Sequence, residues 1–304
     1  MKKGIIALLL VLTLCGCSLP FKIVPNTTPT ATPTVGISNE IPFATATLLA
    51  VETTQPPEQP TATPEIAGSD YSQSGISFKL PACLAPDAVI STIPAVPPDP
   101  NGGMAEFAPE HRLIQFNPYP LSGTFFDASV SIYPVAEYVQ MRADLQTQVQ
   151  DLTNLLASHP AALPATLPFL PMQYAAQVFH ARESYIDFQN GSGIAFLTQY
   201  AQFVDPANNH DLFYTFQGLT SDGKYWISAF LPVNAGFLQD SWDSKTVPAN
   251  GIAPPDPAST NYNSEVENYL IAIKALMSAA NASDYTPDIT CLDAFLQSLK
   301  VENP

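Results

Sequence analysis

The chain has 304 residues, of which 46% are hydrophobic and only 12% are charged. This composition excludes a disordered polyelectrolyte and predicts that much of the chain builds a substantial core. The formal net charge of −16 repels nucleic-acid phosphates and anionic lipid headgroups alike, which argues against a nucleic-acid-binding protein.

The first 17 residues are typical of an export signal. Two lysines precede the apolar run Gly4–Leu14, which is too short to span a bilayer. The run ends in the sequence LCGC, which resembles the lipobox of bacterial lipoprotein precursors. This resemblance implies cleavage after Gly16 and a diacylglyceryl thioether on Cys17, which would anchor the mature chain to the cell membrane on its extracytoplasmic side. Cys15 fits less well because a bulky leucine precedes it, and an ordinary secretory signal is the alternative.

Residues 18–68 are predicted to form a disordered linker. They are rich in Thr and Pro, with units such as Thr28-Pro29 and Thr32-Pro33 that favour extended backbone and cannot build a packed interior. As a flexible coil, the linker would separate its ends by about 35–40 Å. It would therefore hold a single acidic domain, residues 69–304, away from the lipid surface.

The first half of this domain combines strands with one helix. Apolar and polar residues alternate in Gly75–Pro81, which predicts a half-buried strand, and Ala82–Glu110 is predicted to be a long irregular connection because of its prolines. Further strands are predicted at Arg112–Phe116 and Ala128–Tyr133. Apolar residues then recur every three or four positions across Ala136–Ser158, which predicts an amphipathic helix.

Two hairpins give the clearest signals of the second half. Their predicted turns are Asn190-Gly191 and Asp222-Gly223, dipeptides whose residues tolerate the positive φ of a type I′ turn. The flanking strands are Arg182–Gln189 with Ile194–Phe203, and Leu212–Leu219 with Lys224–Leu231. Together with the earlier strands they predict an antiparallel sheet of about six strands.

Helices are predicted to close the chain. A loop at Gln239–Asn261 leads to a capping box, Ser264–Glu267, and an apolar helix face, and a short helix follows from Thr290 to Lys300. Hairpins dominate and strands do not alternate strictly with helices. The predicted class is therefore α+β, one domain with an antiparallel sheet covered by helices.

Cys83 and Cys291 are the two cysteines of the domain. An even pair in an oxidising compartment predicts a disulfide, which would pin the last helix to the end of the first strand. The alternative is two separate buried thiols.

Three phrases of the sequence resemble a family of uncharacterised bacterial lipoproteins with Thr/Pro-rich stalks. They are GISFKLP from residue 75, FQNGSGIAFLTQYAQ from residue 188 and FYTFQGLTSDGKYWISAFLPV from residue 213. The resemblance implies a lipid-anchored domain but no activity, because the family has none assigned. More distantly, the first strand and the late hairpin ending in Leu-Pro are similar to PsbP/Mog1-like domains, which implies an antiparallel sheet between helices. The long proline-rich connections depart from that pattern.

No recognised catalytic, metal or cofactor motif is found, so none is predicted. The segment Gly191-Ser192-Gly193 lacks the spacing of a serine-hydrolase elbow and is better explained as hairpin turn chemistry. His180 and Glu183 would align on a helix, but their segment is predicted to be a strand, which places them on opposite faces. The loop Asp205–Asp211 offers oxygen ligands for calcium without the calcium-loop spacing, which favours a solvated turn.

Aromatic residues concentrate on the second hairpin. Alternation places Tyr214 and Phe216 on one face of the sheet, and with Trp226 they would form a ligand platform if helices left a face open. Core packing on both faces is the favoured interpretation of these residues. Trp242, in the Asp-rich loop, is predicted to be more exposed and to line such a site.

These features favour a lipid-anchored extracytoplasmic module that binds an unidentified envelope ligand or protein and has no enzymatic activity. One alternative is a cell-envelope hydrolase with an unrecognised active site, and another is a structural envelope spacer. Two carboxylates or a histidine cluster that converge in a pocket with shifted pKa values would favour the hydrolase.

Overall fold

The computed structural model describes residues 67–98, 107–203, 205–244 and 246–304. The predicted export signal, Cys17 and the linker up to residue 66 lie outside the described residues. The described part is a mixed α+β structure with a large antiparallel sheet, which confirms the predicted fold class.

The strands are β1 (Gly68–Gln73), β2 (Ile76–Pro81), β3 (Ala88–Ile93), β4 (His111–Phe116), β5 (Ser129–Pro134), β6 (Ala176–Phe188), β7 (Gly191–Ala201), β8 (Phe213–Thr220), β9 (Tyr225–Pro232), β10 (Asn234–Ala235), β11 (Tyr285–Thr286) and β12 (Lys300–Val301). The helices are α1 (Val135–Met141), α2 (Leu145–Ser158), α3 (Tyr262–Ala279) and α4 (Ile289–Ser298), with a short 3-10 helix at Ala282–Asp284. Of these described helices, none is long and apolar enough to cross a bilayer.

The main sheet has seven antiparallel strands in the order β3-β4-β5-β9-β8-β7-β6, where about six were predicted. Both predicted hairpins are present as β6–β7 and β8–β9. The strand β3 lies in Ala82–Glu110, which was wrongly predicted to be irregular throughout. Its buried Ala88 and Ile90 alternate with the exposed Val89, a short period-two pattern among many prolines.

The main sheet is covered on both faces. One face packs against α3, α4 and a small sheet of the order β1-β2-β12, and this core includes Tyr214 and Phe216. The other face packs against α1, α2 and the segment 163–172, and this core includes Trp226 and Phe213. The central strands β7, β8 and β9 are therefore almost continuously buried, so their side chains form core on both sides.

A disulfide joins Cys83 to Cys291, as predicted, with the two Cα atoms 6.1 Å apart. Cys83 follows β2, and Cys291 lies in the first turn of α4. The same turn is capped by Asp288, whose carboxylate accepts a hydrogen bond from the Thr290 backbone N–H at 2.8 Å. The bridge and the cap together fix the start of α4 beside the small sheet of β1, β2 and β12.

An irregularity in β6 overturns one sequence-based prediction. The pairing of β6 with β7 shifts register between Ala181 and Ser184, and Arg182 has a φ of +53°. The extra residue brings His180 and Glu183 to the same side, although a regular strand would place them on opposite faces. The imidazole Nδ1 contacts the Glu183 carboxylate and holds the pKa of that carboxyl below its usual value.

Local signals placed two other features wrongly. The predicted helix Ala136–Ser158 is divided into α1 and α2 at Arg142, whose guanidinium binds the Asp144 carboxylate at 2.7 Å. The predicted capping box at Ser264–Glu267 is absent because α3 begins at Tyr262, with Asn261 as its N-cap in place of Ser264. Ser264 lies within its first turn, where its hydroxyl donates to the Asn261 carbonyl.

The two hairpin turns also differ from the type I′ prediction. In the first, Gln189 and Asn190 connect Phe188 to Gly191, and neither Asn190 nor Gly191 has a positive φ. In the second, Gly223 has a φ of +70° but Asp222 does not. The dipeptides located the hairpins correctly, while the detailed turn geometry follows the twist and pairing of the surrounding sheet.

Candidate functional site

Exposed aromatic rings gather at one place on the described surface. Four large aromatic side chains line a pair of neighbouring cavities there. They are Phe125, Tyr174, Phe203 and Trp242, which are 63%, 47%, 59% and 53% exposed. Large aromatic side chains are normally buried, and a cluster of exposed ones is typical of a binding surface. This region, which we call the aromatic cleft, is the candidate functional site.

The aromatic cleft consists of two cavities that share Phe203, Asp205 and Trp242. The first cavity, of about 580 Å³, lies between these residues and α3, and Tyr262 and Tyr269 are part of its lining. The second cavity, of about 490 Å³, is lined by a different group of residues: Phe125, Phe126, Gln173, Tyr174, Ala175, Tyr200, Ala201, Gln202, His210 and Asp211. Both volumes suit a small organic ligand.

Phe203 and Trp242 stand between the two cavities. Phe203 follows the end of β7, and Trp242 lies in the long loop after β10. Their rings meet edge to face with centroids 5.8 Å apart. Two loops that are distant in sequence therefore contribute one aromatic pair, Phe203 and Trp242, which we call the aromatic ridge.

Asp205 is the buried acid of the aromatic cleft. Only 4% of the residue is exposed, and it lines both cavities. Its Oδ2 accepts a hydrogen bond from the Gln199 side-chain amide at 3.1 Å, whereas its Oδ1 has no hydrogen-bond partner among the described residues. Burial raises the pKa of Asp205 to about 7, and the nearby Asp211 carboxylate adds to the shift because it repels the ionised form and can accept a hydrogen bond from the protonated form, while His210 acts in the opposite direction.

Buried amides hold the loop that carries Asp205. Asn208 is fully buried, and its Nδ2 donates to the Asp211 Oδ2 at 2.9 Å, while its Oδ1 accepts from the Asp211 backbone N–H at 3.1 Å. The Asp211 Oδ1 lies 2.6 Å from the His210 Nδ1. The loop is therefore a fixed structure with satisfied amides, and the predicted solvated turn does not describe it.

The structure brings few of the sequence-predicted site residues together. Trp242 is exposed and lines both cavities, whereas Trp226, Tyr214 and Phe216 are at most 1% exposed and belong to the core. The other three exposed rings, Phe125, Tyr174 and Phe203, were not predicted as site residues, because they lie outside the regular strands and helices and have no periodic pattern. In the described part of the chain, no three His, Cys, Asp or Glu side chains are arranged to hold a metal ion.

Replacement of Asp205 by asparagine should change the pH dependence of stability. The raised pKa means that the folded state binds the proton more tightly, so the stabilisation is complete below pH 4 and is lost as the pH rises through 7. From pH 5 to 8, the free energy of unfolding of the wild type should fall by about 1–3 kcal/mol relative to Asp205→Asn. Urea unfolding at both pH values measures this difference.

The exposed Asp127 provides the matched control for this experiment. Asp127→Asn removes the same charge outside the aromatic cleft, so its stability should follow that of the wild type across the pH range. Parallel stability curves for the wild type and Asp205→Asn would show that Asp205 does not keep its proton in the folded state.

The fold and the site define an α+β domain with a doubly covered antiparallel sheet and an acidic cleft bordered by aromatic rings. Comparison with known proteins found no matching family model, no matching curated protein and no matching solved structure.

Proposed function

We propose that this protein is a lipid-anchored extracytoplasmic module that binds a small organic ligand in its aromatic cleft. The observation that carries the proposal is the convergence of four exposed aromatic rings on two cavities that share Phe203, Asp205 and Trp242. Exposing these rings to water is unfavourable, and a bound apolar ligand would remove that penalty.

The anchoring part of the proposal rests on the first 68 residues of the sequence. The short apolar run before Cys17 supports export and lipidation, and the Thr/Pro-rich segment after it supports a tether to the domain. The disulfide also supports an oxidising location. Mass spectrometry of the mature N-terminus tests this part, and an intact Met1 would overturn it.

Trp242→Ala is expected to weaken ligand binding by about tenfold or more, because it removes half of the aromatic ridge. The full-length protein would be titrated calorimetrically with a panel of small aromatic compounds, neutral, cationic and anionic, and with oligosaccharides. Trp242 is one of only two tryptophans, and the other is fully buried, so intrinsic fluorescence gives a second signal from the cleft.

Two variants make this test specific. Ile271→Ala removes an exposed apolar side chain of α3 that is 68% accessible and does not line either cavity, so it should bind like the wild type. Trp242→Phe should lose the fluorescence change but keep most of the binding, because it retains a ring. Unchanged affinity in Trp242→Ala, or the lack of any ligand in the panel, would contradict the proposal.

A hydrolase is the second candidate, favoured by one specific observation. Asp205 and Asp211 both line the second cavity, and the pKa of Asp205 is raised to about 7, which suits a general acid. Hydrolysis of a chromogenic ester or glycoside that disappears in both Asp205→Asn and Asp211→Asn would favour this candidate over the binding module.

A further inference from the structure

We infer that the ligand of the aromatic cleft is a small organic amine, whose ammonium group binds Asp205 and whose apolar body packs against Phe203 and Trp242. This inference rests on the proposed function, because it names the chemical class of ligand for the same cleft.

The charges that line the cleft favour a cation. Of the described residues around the two cavities, none is Lys or Arg, and the acidic ones are Asp205, Asp211 and Asp243. His210 is the one basic side chain in these linings, and it is paired with Asp211. The whole chain carries a net charge of −16, which adds to the attraction for a positive ligand. Among the described lining residues, an anionic ligand would find no guanidinium or ammonium partner.

The free hydrogen-bonding capacity of the cleft favours a ligand with N–H donors. Asp205 is more than nine-tenths buried, and its Oδ1 lacks a partner among the described residues, which is rare for a buried acceptor. The side-chain amides of Gln173 and Gln202 already donate to the backbone carbonyls of Pro171 and Tyr174 at 3.0 and 3.3 Å. The unpaired Asp205 oxygen is therefore a buried acceptor available to a ligand, whereas Gln173 and Gln202 each have one amide N–H engaged with the backbone.

Asp211 does not compete with Asp205 for this role. Its two carboxylate oxygens already bind Asn208 and His210 at 2.9 and 2.6 Å. Its negative charge nevertheless remains close to Asp205, where an ammonium group would relieve the repulsion between the two carboxylates. A bound amine would thus satisfy the free acceptor and neutralise part of the local charge.

The aromatic ridge suits the remainder of such a molecule. Trp and Phe rings attract ammonium groups and adjacent methylenes through their faces, and Trp does so most strongly. Phe203 and Trp242 are both more than half exposed and border the position of Asp205 in both cavities. A carboxylate beside exposed rings is the arrangement expected for an amine with an apolar body.

The test uses two probes with the same aromatic body, 2-phenylethylamine and 2-phenylethanol, titrated into the full-length protein at pH 8. The amine is protonated at this pH. The Asp205 carboxyl is mostly ionised there, because its pKa is about 7. We expect the amine to bind at least tenfold more tightly than the alcohol. Asp205→Asn should weaken amine binding by about 10- to 100-fold and change alcohol binding less than twofold, because only the amine uses the charge.

Trp242→Ala separates the ligand class from the binding site itself. It should weaken the amine and the alcohol together, because both pack on the ridge. Equal affinities for the two probes in the wild type, both lost in Trp242→Ala, would overturn the amine inference and leave the binding module intact. Failure of both probes, together with the full ligand panel, would overturn both.

The Asp205→Asn variant carries its own control for folding. Asparagine has the shape of the protonated aspartic acid, so the variant should be at least as stable as the wild type at pH 8. If the variant is as stable as the wild type but binds the amine more weakly, the weaker binding is caused by the missing carboxylate. An amine preference that persists in Asp205→Asn would contradict the role given to Asp205.

Discussion

Replacing Cys83 and Cys291 together by alanine should lower the free energy of unfolding by about 5 kcal/mol. The two cysteines are 208 residues apart, and the chain-entropy model assigns about 5 kcal/mol to a closure of this length. Typical domains have a total stability of about 5–15 kcal/mol, so this loss would leave the domain marginally stable. Urea unfolding followed by circular dichroism measures the change.

The same bond can be removed chemically, which gives a control without mutation. Reduction of the wild type should reproduce the destabilisation of the double alanine variant, and the variant itself should not respond to the reductant. Alanine is preferred to serine because Cys291 is only 5% exposed, and a buried hydroxyl would add a penalty of its own. Equal unfolding free energies for the oxidised and reduced wild type would show that the bridge contributes nothing.

Local patterns in the sequence predicted the class of fold and most of its elements. The hairpins β6–β7 and β8–β9 follow from alternating residues around turn dipeptides, and α4 follows from its apolar spacing. β3 was missed because only six residues carry its pattern, between connections rich in proline. The His180–Glu183 contact was missed because the register shift in β6 depends on how that strand pairs with β7.

Burial of the second hairpin had a signal in the sequence. The segments of β8 and β9, FYTFQGLT and YWISAFLP, have apolar residues at both odd and even positions, which is typical of strands covered on both faces. Core packing was favoured for the aromatic residues, and the aliphatic Ile227 and Leu231 beside them require burial as well. The pattern of both strands therefore favours core packing over an exposed aromatic face.

The aromatic cleft could be predicted only in part. Trp242 was predicted to be exposed because it lies in a polar loop, where a tryptophan has no periodic partner to pack against. The importance of Asp205 depends on its depth, which arises when α3, Gln199 and the loop of Asn208 enclose it. These partners come from separate parts of the chain, so the free Oδ1 and the raised pKa of Asp205 are properties of the tertiary structure.

Trp226 belongs to a buried polar network in the main sheet that is centred on Gln217. It is fully buried, and its Nε1 donates to the Gln217 Oε1 at 2.7 Å. The Gln217 Nε2 donates to the hydroxyls of Thr215 and Ser228, both at 3.0 Å, and the Leu170 backbone N–H donates to the Gln217 Oε1 at 3.1 Å. The network therefore attaches the segment around Leu170 to the face of β8 and β9.

Trp226→Ala should consequently lower the free energy of unfolding by about 3–5 kcal/mol, because it opens a large cavity and removes the donor to Gln217. Trp226→Phe keeps much of the ring volume and loses the N–H, so its loss should be smaller. Trp242→Ala should change stability by less than about 1 kcal/mol, because that ring is 53% exposed. Denaturant unfolding of the three variants gives the order directly.

Trp226 lies in the core and Trp242 in the cleft, so a loss of binding has a different meaning in each variant. A loss of ligand in Trp226→Ala would follow from a weakened sheet, whereas a loss in Trp242→Ala would come from the ridge of the aromatic cleft itself. If Trp226→Ala unfolded like the wild type, the indole would not support the core, and the alternative interpretation of the second hairpin as a ligand platform would need to be tested again. With the expected order, Trp242 and Asp205 are the residues through which ligand binding can be probed without disturbing the fold.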